Sequence, residues 1–146
     1  MGARLHRLGI HSGISTFVMI IAMLTAGYIS AAPAGEEDLV KKLIGRWEGV
    51  MTAGSNQKRF LVVESIKDAQ THWTAYGRYG IEGTGGKVEM RVTVSGNDVT
   101  VDFDTPGKLS ARVKLEGDNE LNGHVRVFEP GQRSYINVNL KLKRVQ

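Results

Sequence analysis

The stretch Leu43-Ile44-Gly45-Arg46-Trp47-Glu48-Gly49-Val50 decides how this chain is read. A short apolar-faced segment runs into Gly45, and Gly45 opens a strand that carries Trp47. Strand-like runs then follow one another to the C-terminus. A large indole at the start of the first strand is expected to plug one end of a small β-barrel.

On the N-terminal side, Glu36-Glu37-Asp38-Leu39-Val40-Lys41-Lys42-Leu43-Ile44 sets Leu39, Val40, Leu43 and Ile44 on one face at helical spacing. Acids come first and lysines follow, as the helix dipole favours, so a helix of about two turns ending at Gly45 is predicted. Residues 1–34 read as a secretory signal peptide. Arg4 and Arg7 precede an apolar run from Ile14 to Ala26, and small residues follow at Ser30, Ala31, Ala32 and Ala34. The run of about 13 residues is shorter than the ~20 that cross a bilayer, which favours cleavage, after Ala34 or after Ala31, over an uncleaved anchor. The expected product is one domain over 35–146, exported to the periplasm or secreted, from a bacterium. It would not be held at a membrane once the leader is cut.

The whole chain has 19 Lys and Arg against 15 Asp and Glu. Without Arg4 and Arg7 the excess falls to two, with the signs interspersed, so no field strong enough for nucleic acid or an anionic membrane is expected. There is no cysteine, which excludes disulfides despite the expected export and leaves no lipid-anchoring thiol near the cleavage site.

From Gly45 onward, turn signals recur at the spacing of an all-β domain. They are Gly54-Ser55-Asn56, Lys67-Asp68-Ala69, Glu82 to Gly86, Gly96-Asn97, Thr105-Pro106-Gly107, Gly117-Asp118-Asn119 and Pro130-Gly131. They mark off eight strands, and no gap between them holds a crossover helix, so neighbours should pair antiparallel. The later strands alternate: Val88, Met90, Val92 and Val94 share one face, as do Val99, Val101 and Phe103, and Leu109, Ala111, Val113 and Leu115. A two-residue Gly96-Asn97 turn puts Val94 opposite Val99, Val92 opposite Val101 and Arg91 opposite Asp102, with an Arg91–Asp102 ion pair outside. Earlier strands are less regular. Arg59 to Glu64 is apolar on both faces, which suggests an outer cover from the helix or a partner, and the Trp73 row is expected inside on the third strand. Such strands can close into a barrel or pack as a sandwich. Uninterrupted short hairpins favour an all-β, eight-stranded antiparallel up-and-down barrel with a short N-terminal helix, because closure removes exposed edges.

Gly45-x-Trp47 after a short helix resembles the signature of the lipocalins and the wider calycin superfamily. The fuller Gly45-Arg46-Trp47-Glu48-Gly49, with Leu121-Asn122-Gly123 and a last strand ending in Lys143-Arg144, is similar to small exported bacterial lipocalin-like domains, some of them fused ahead of serine hydrolases. The resemblance implies that an arginine ending the last strand packs across the tryptophan at the closed end. Arg144 shares parity with Leu140 and Leu142 and fits that role, making Gly45, Trp47 and Arg144 the structural closure. The chain lacks the helical lid of fatty-acid-binding proteins, the long C-terminal helix of typical lipocalins, the several interior tryptophans of avidins and the disulfide of the metalloprotease-inhibitor barrels.

Catalytic signals are sparse. Gly83-Thr84-Gly85-Gly86-Lys87 fails the phosphate-loop spacing, since Ile81 and Val88 stand where Gly and Ser or Thr belong, and it precedes a strand. His72 and His124 fall on outward faces of separate strands. No metal site, cofactor or catalytic residue is assigned, and an enzyme ranks below two binding readings. The first is a small hydrophobic ligand in the apolar interior, lined by Met51, Trp73, Met90, Val92, Val101, Phe103, Val113, Val125, Val138 and Leu140. Gly49, Gly77 and Gly123 would leave it room. The second is a filled-core module that engages a protein partner, as an inhibitor or an accessory domain of an exported enzyme. Oligomeric state is not legible.

Overall fold

A computed structural model describes residues 34–146. The leader expected over residues 1–34 lies, apart from Ala34, outside the described residues. The chain opens with α1 (Ala34–Lys41) and continues through β1 (Gly45–Ala53), β2 (Ser55–Asp68), β3 (Trp73–Gly80) and β4 (Gly86–Ser95). β5 (Asp98–Asp104), β6 (Ser110–Glu116), β7 (Glu120–Glu129) and β8 (Ser134–Arg144) complete it. Each strand pairs antiparallel with its sequence neighbours, and β8 returns to β1, giving the closed eight-stranded barrel expected from the turn spacing. Among the described residues no helix is long and apolar enough to cross a membrane.

Helix α1 has Glu36 and Glu37 in its first turn and Lys41 in its last, and an exposed Lys41–Glu37 ion pair at 2.7 Å spans one turn. It stops earlier than its apolar spacing suggested. Leu43 N–H donates to the Val40 carbonyl at 2.9 Å and Ile44 N–H to the Lys41 carbonyl at 3.1 Å, so the end tightens into three-residue turns. That tightening leaves Val40 and Leu43 buried and turns Ile44 out to solvent, against its expected place on the buried face.

The Gly96-Asn97 hairpin has the expected register, with Val94 opposite Val99, Val92 opposite Val101 and Arg91 opposite Asp102. The ion pair is different. Asp102 also faces Arg112 across β6 and accepts from its Nε at 2.5 Å, so the basic residue on the other neighbouring strand takes the carboxylate instead of Arg91.

The two-sided look of β2 has two causes. A bulge between Val63 and Ser65 shifts the register, so that Leu61 and Val63 face in before it and Ile66 packs on the core after it. Glu64 is therefore not inward; it is exposed and pairs with Arg78 at 3.3 Å. Phe60 is buried on the outer face, and its cover within the chain comes from Arg46 and a turn, not from the helix. The Arg46 guanidinium lies 5.0 Å over its ring, and the β3–β4 turn presses on it so closely that a Cβ at Gly85 would come within 2.2 Å of Phe60 Cζ. On β3 the Trp73 row faces in as expected, with Ala75 and Tyr79 buried, Trp73 half-buried and Tyr76 exposed.

One end of the barrel is sealed. Trp47 is fully buried, and its indole N–H donates to the Leu43 carbonyl at 2.8 Å. The Arg144 guanidinium stacks 4.3 Å from the indole centre, as its parity predicted. It also donates to the carbonyls of Ile44 (2.9 Å), Asp118 (3.1 Å) and Lys42, tying the end of α1, the β6–β7 turn and the last strand into one joint. Gly45 suits this joint twice over: its φ of +132° is one that side chains rarely adopt, and a Cβ there would sit 3.1 Å from Arg144 Nη1.

The interior between the ends is packed. Leu61, Ala75, Met90, Val92, Val101, Val113, Leu121, Leu140 and Leu142 are all at most 1% exposed. The inward glycines do not leave voids. A Cβ at Gly49, Gly77 or Gly123 would fall about 2 Å from a backbone oxygen of the adjoining strand, respectively Lys141, Val62 and Arg112. Neighbouring backbone takes the space of the missing side chains, which is how an eight-stranded sheet bends tightly enough to close.

Candidate functional site

The opposite end is open because strand lengths do not match there. β2 starts at Ser55 but pairs with β3 only from Phe60. β8 starts at Ser134 but reaches β1 only from Asn139, and β7 leaves β6 after Val125. The β1–β2 and β7–β8 hairpins therefore stand above the rim, while the short turns at 81–85 and 105–109 complete it.

Between them is a recess of about 240 Å³ lined by Met51, Arg59, Tyr79, Gly80, Ile81, Thr84, Thr105, Pro106, Gly107, Leu109 and Val125. Its rim is stiff on one side. Thr105 and Leu109 exchange hydrogen bonds, Thr105 N–H to the Leu109 carbonyl at 2.8 Å and Leu109 N–H to Thr105 Oγ1 at 3.1 Å, and Lys108 N–H donates back to the Thr105 carbonyl at 2.7 Å. Pro106 packs against β4 so tightly that a Cβ at Gly86 would come within 2.7 Å of its ring.

Besides the turn residues Thr84 and Thr105, two polar side chains from the strands, Arg59 and Tyr79, line this recess. Arg59 lies opposite Gly49 on the inward row of β2 and is half-buried. Its Nη1 donates to the Lys58 carbonyl at 3.0 Å and its Nη2 to Gln57 Oε1 at 2.5 Å, both neutral acceptors. It is the one charged residue among those that line the recess. Tyr79 is 3% exposed, its ring set edge-on to Phe103 with centroids 5.2 Å apart, and its buried hydroxyl finds no acceptor among the described residues. Burial raises the hydroxyl pKa above its ordinary 10, and the charge and donor groups of the nearby Arg59 partly offset that rise.

Of the ten side chains proposed as barrel lining, Met51 and Val125 border this recess. Met90, Val92, Val101, Phe103, Val113, Val138 and Leu140 are buried in the packed core, and Trp73 packs at its edge. The closure residues Gly45, Trp47 and Arg144 meet at the sealed end. Sequence reasoning missed Arg59, although its parity with Leu61 and Val63 was available; the apolar residues on both faces of β2 obscured it. The recess residues Ile81, Thr84, Thr105, Pro106 and Gly107 of the two turns carry no periodic signal, whereas Leu109 heads the alternating row of β6.

His72 and His124 are apart from this site. His72, in the turn before β3, lies 3.0 Å from Thr71 Oγ1, and His124 sits opposite Arg112 on the outer face. His72 borders a hollow of about 500 Å³ on that face, walled also by Glu89, Arg91, Asp102 and Arg112. It is a solvated polar surface, with the Arg112 side chain of the Asp102 pair well exposed.

Comparison of the chain with protein-family models, with curated proteins and with solved structures finds no match.

Proposed function

We propose that this chain is an exported, lipocalin-like barrel that binds a small apolar molecule, and that it does so at the open end and not in the depth of the barrel. The recess itself carries the reading. Inward residues Met51, Tyr79 and Val125 meet solvent-facing turns there, whereas the side chains below are packed against one another. A volume of 240 Å³ is below the roughly 300–1,000 Å³ of sites that enclose drug-sized ligands, so the occupant is a small molecule or the end of a longer chain. The kinship with lipocalin-like domains rests on Gly45-x-Trp47 and the Trp47–Arg144 stack.

Titration with the neutral apolar fluorophore N-phenyl-1-naphthylamine tests the reading. A saturable rise in emission, displaced by octan-1-ol and lost in Leu109→Trp, which fills the recess, is the expected result. No saturation at millimolar octan-1-ol would overturn it.

One observation favours a second reading, a module that docks a protein partner. On the projecting β7–β8 hairpin, Phe128 and Tyr135 stack edge to face at 5.2 Å and remain 44% and 59% exposed. Exposed aromatics above an unpaired strand edge are the kind of surface that adds a strand or a partner face. Under this reading Phe128→Ser with Tyr135→Ser abolishes association and leaves fluorophore binding unchanged.

A further inference from the structure

We infer that the ligand of the open end carries a carboxylate, held by the Arg59 guanidinium and the Tyr79 hydroxyl, with its apolar part along Met51, Leu109 and Val125. This rests on the open-end reading and adds the chemical class of what binds there.

Buried hydroxyls in folded proteins almost always have a partner, because leaving one without costs more than the bond returns. Among the described residues the Tyr79 O–H meets no acceptor, since its Arg59 neighbour can only donate, and Tyr79 forms part of the recess wall. Its neutral O–H is a donor awaiting an acceptor, and burial keeps it protonated throughout the physiological range. Beside it, Arg59 brings a positive charge into a recess with no lining carboxylate to balance it. Its two present bonds go to neutral oxygens of its own strand, one of them on an exposed Gln57 side chain, so they are exchangeable for a stronger charged acceptor. A carboxylate supplies two coplanar oxygens, one for the planar fork of the guanidinium and one for the phenol. The hydroxyls of Thr84 and Thr105 are engaged within their own turns, with the Ile81 carbonyl and the Leu109 N–H, and Met51, Ile81, Leu109 and Val125 offer apolar contact that suits a short hydrocarbon tail. The guanidinium turns from Gln57 toward the ligand as the headgroup enters.

The test pairs octanoate with octan-1-ol, which have the same chain length and differ in the headgroup. Affinities are read from saturation of backbone amide shifts in the ¹⁵N-labelled protein. The expected result is octanoate binding at least tenfold tighter than octan-1-ol. That preference disappears in Arg59→Met and shrinks severalfold in Tyr79→Phe, while octan-1-ol affinity is unchanged in both. Equal affinities in the unmodified protein, or a preference that survives Arg59→Met, would overturn the carboxylate and leave open-end binding standing. If neither compound shifts any amide, the open-end reading falls and takes this inference with it.

Discussion

Arg144 ties three segments of the fold together through one side chain. Its stack on Trp47 and its bonds to the Lys42 and Ile44 carbonyls join segments about a hundred positions apart, and its bond to the Asp118 carbonyl brings in the β6–β7 turn. Trp47→Ala removes a fully buried indole and should cost about 3–5 kcal/mol in urea denaturation. Arg144→Ala should cost about 2–3 kcal/mol, because charged donors to backbone carbonyls are lost along with the cation–π contact. Arg144→Lys should recover little of that, since an ammonium can satisfy one carbonyl but neither stack nor fork. At the other end the sign reverses. Tyr79→Phe deletes a buried hydroxyl that has no acceptor among the described residues and should stabilise the ligand-free protein by about 1 kcal/mol, while weakening octanoate binding. A residue that costs stability and aids binding is the pattern expected of a site.

Among the strands, the glycines that receive neighbouring backbone are the sharpest constraint. Gly77→Ala would place a Cβ 1.8 Å from the Val62 carbonyl oxygen, which no rotamer change can relieve. The β2–β3 pairing must part locally, and a loss of about 3 kcal/mol or more in thermal or urea unfolding is expected. Here the limits of sequence reading are physical. Alternation and turn spacing gave the strands, the Gly96-Asn97 register and the inward parity of Arg144, because each depends on neighbours in sequence. A missing side chain, by contrast, reads the same whether it leaves a void or admits a strand, so Gly49, Gly77 and Gly123 pointed to a cavity where the backbone closes in. Apolar residues on both faces of β2 hid the inward parity that Arg59 shares with Leu61 and Val63. Asp102 had basic residues on two neighbouring strands, and only the fold selects Arg112.

The molecule as a whole is a barrel with unlike ends, one sealed by a buried indole and one open between unequal hairpins. Acid should loosen the sealed end. Asp118, bonded to Lys42, and Glu120, bonded to Lys143 and Asn122, both titrate below their ordinary values in the folded state. Their stabilisation is therefore complete above the unfolded pKa values of about 3.9 and 4.3 and is lost as pH falls through the lower native ones. Trp47 fluorescence should hold steady from pH 8 to 5 and change below about pH 4. The proposed ligand occupies the mouth above a packed core, and nuclear Overhauser contacts between the octanoate chain and the methyl groups of the ¹³C-methyl-labelled protein test that position. Contacts to Met51, Leu109 and Val125 and none to Val92, Val101 or Val113 are expected. Contacts to those deep valines would place the ligand inside the barrel and contradict binding at the open end.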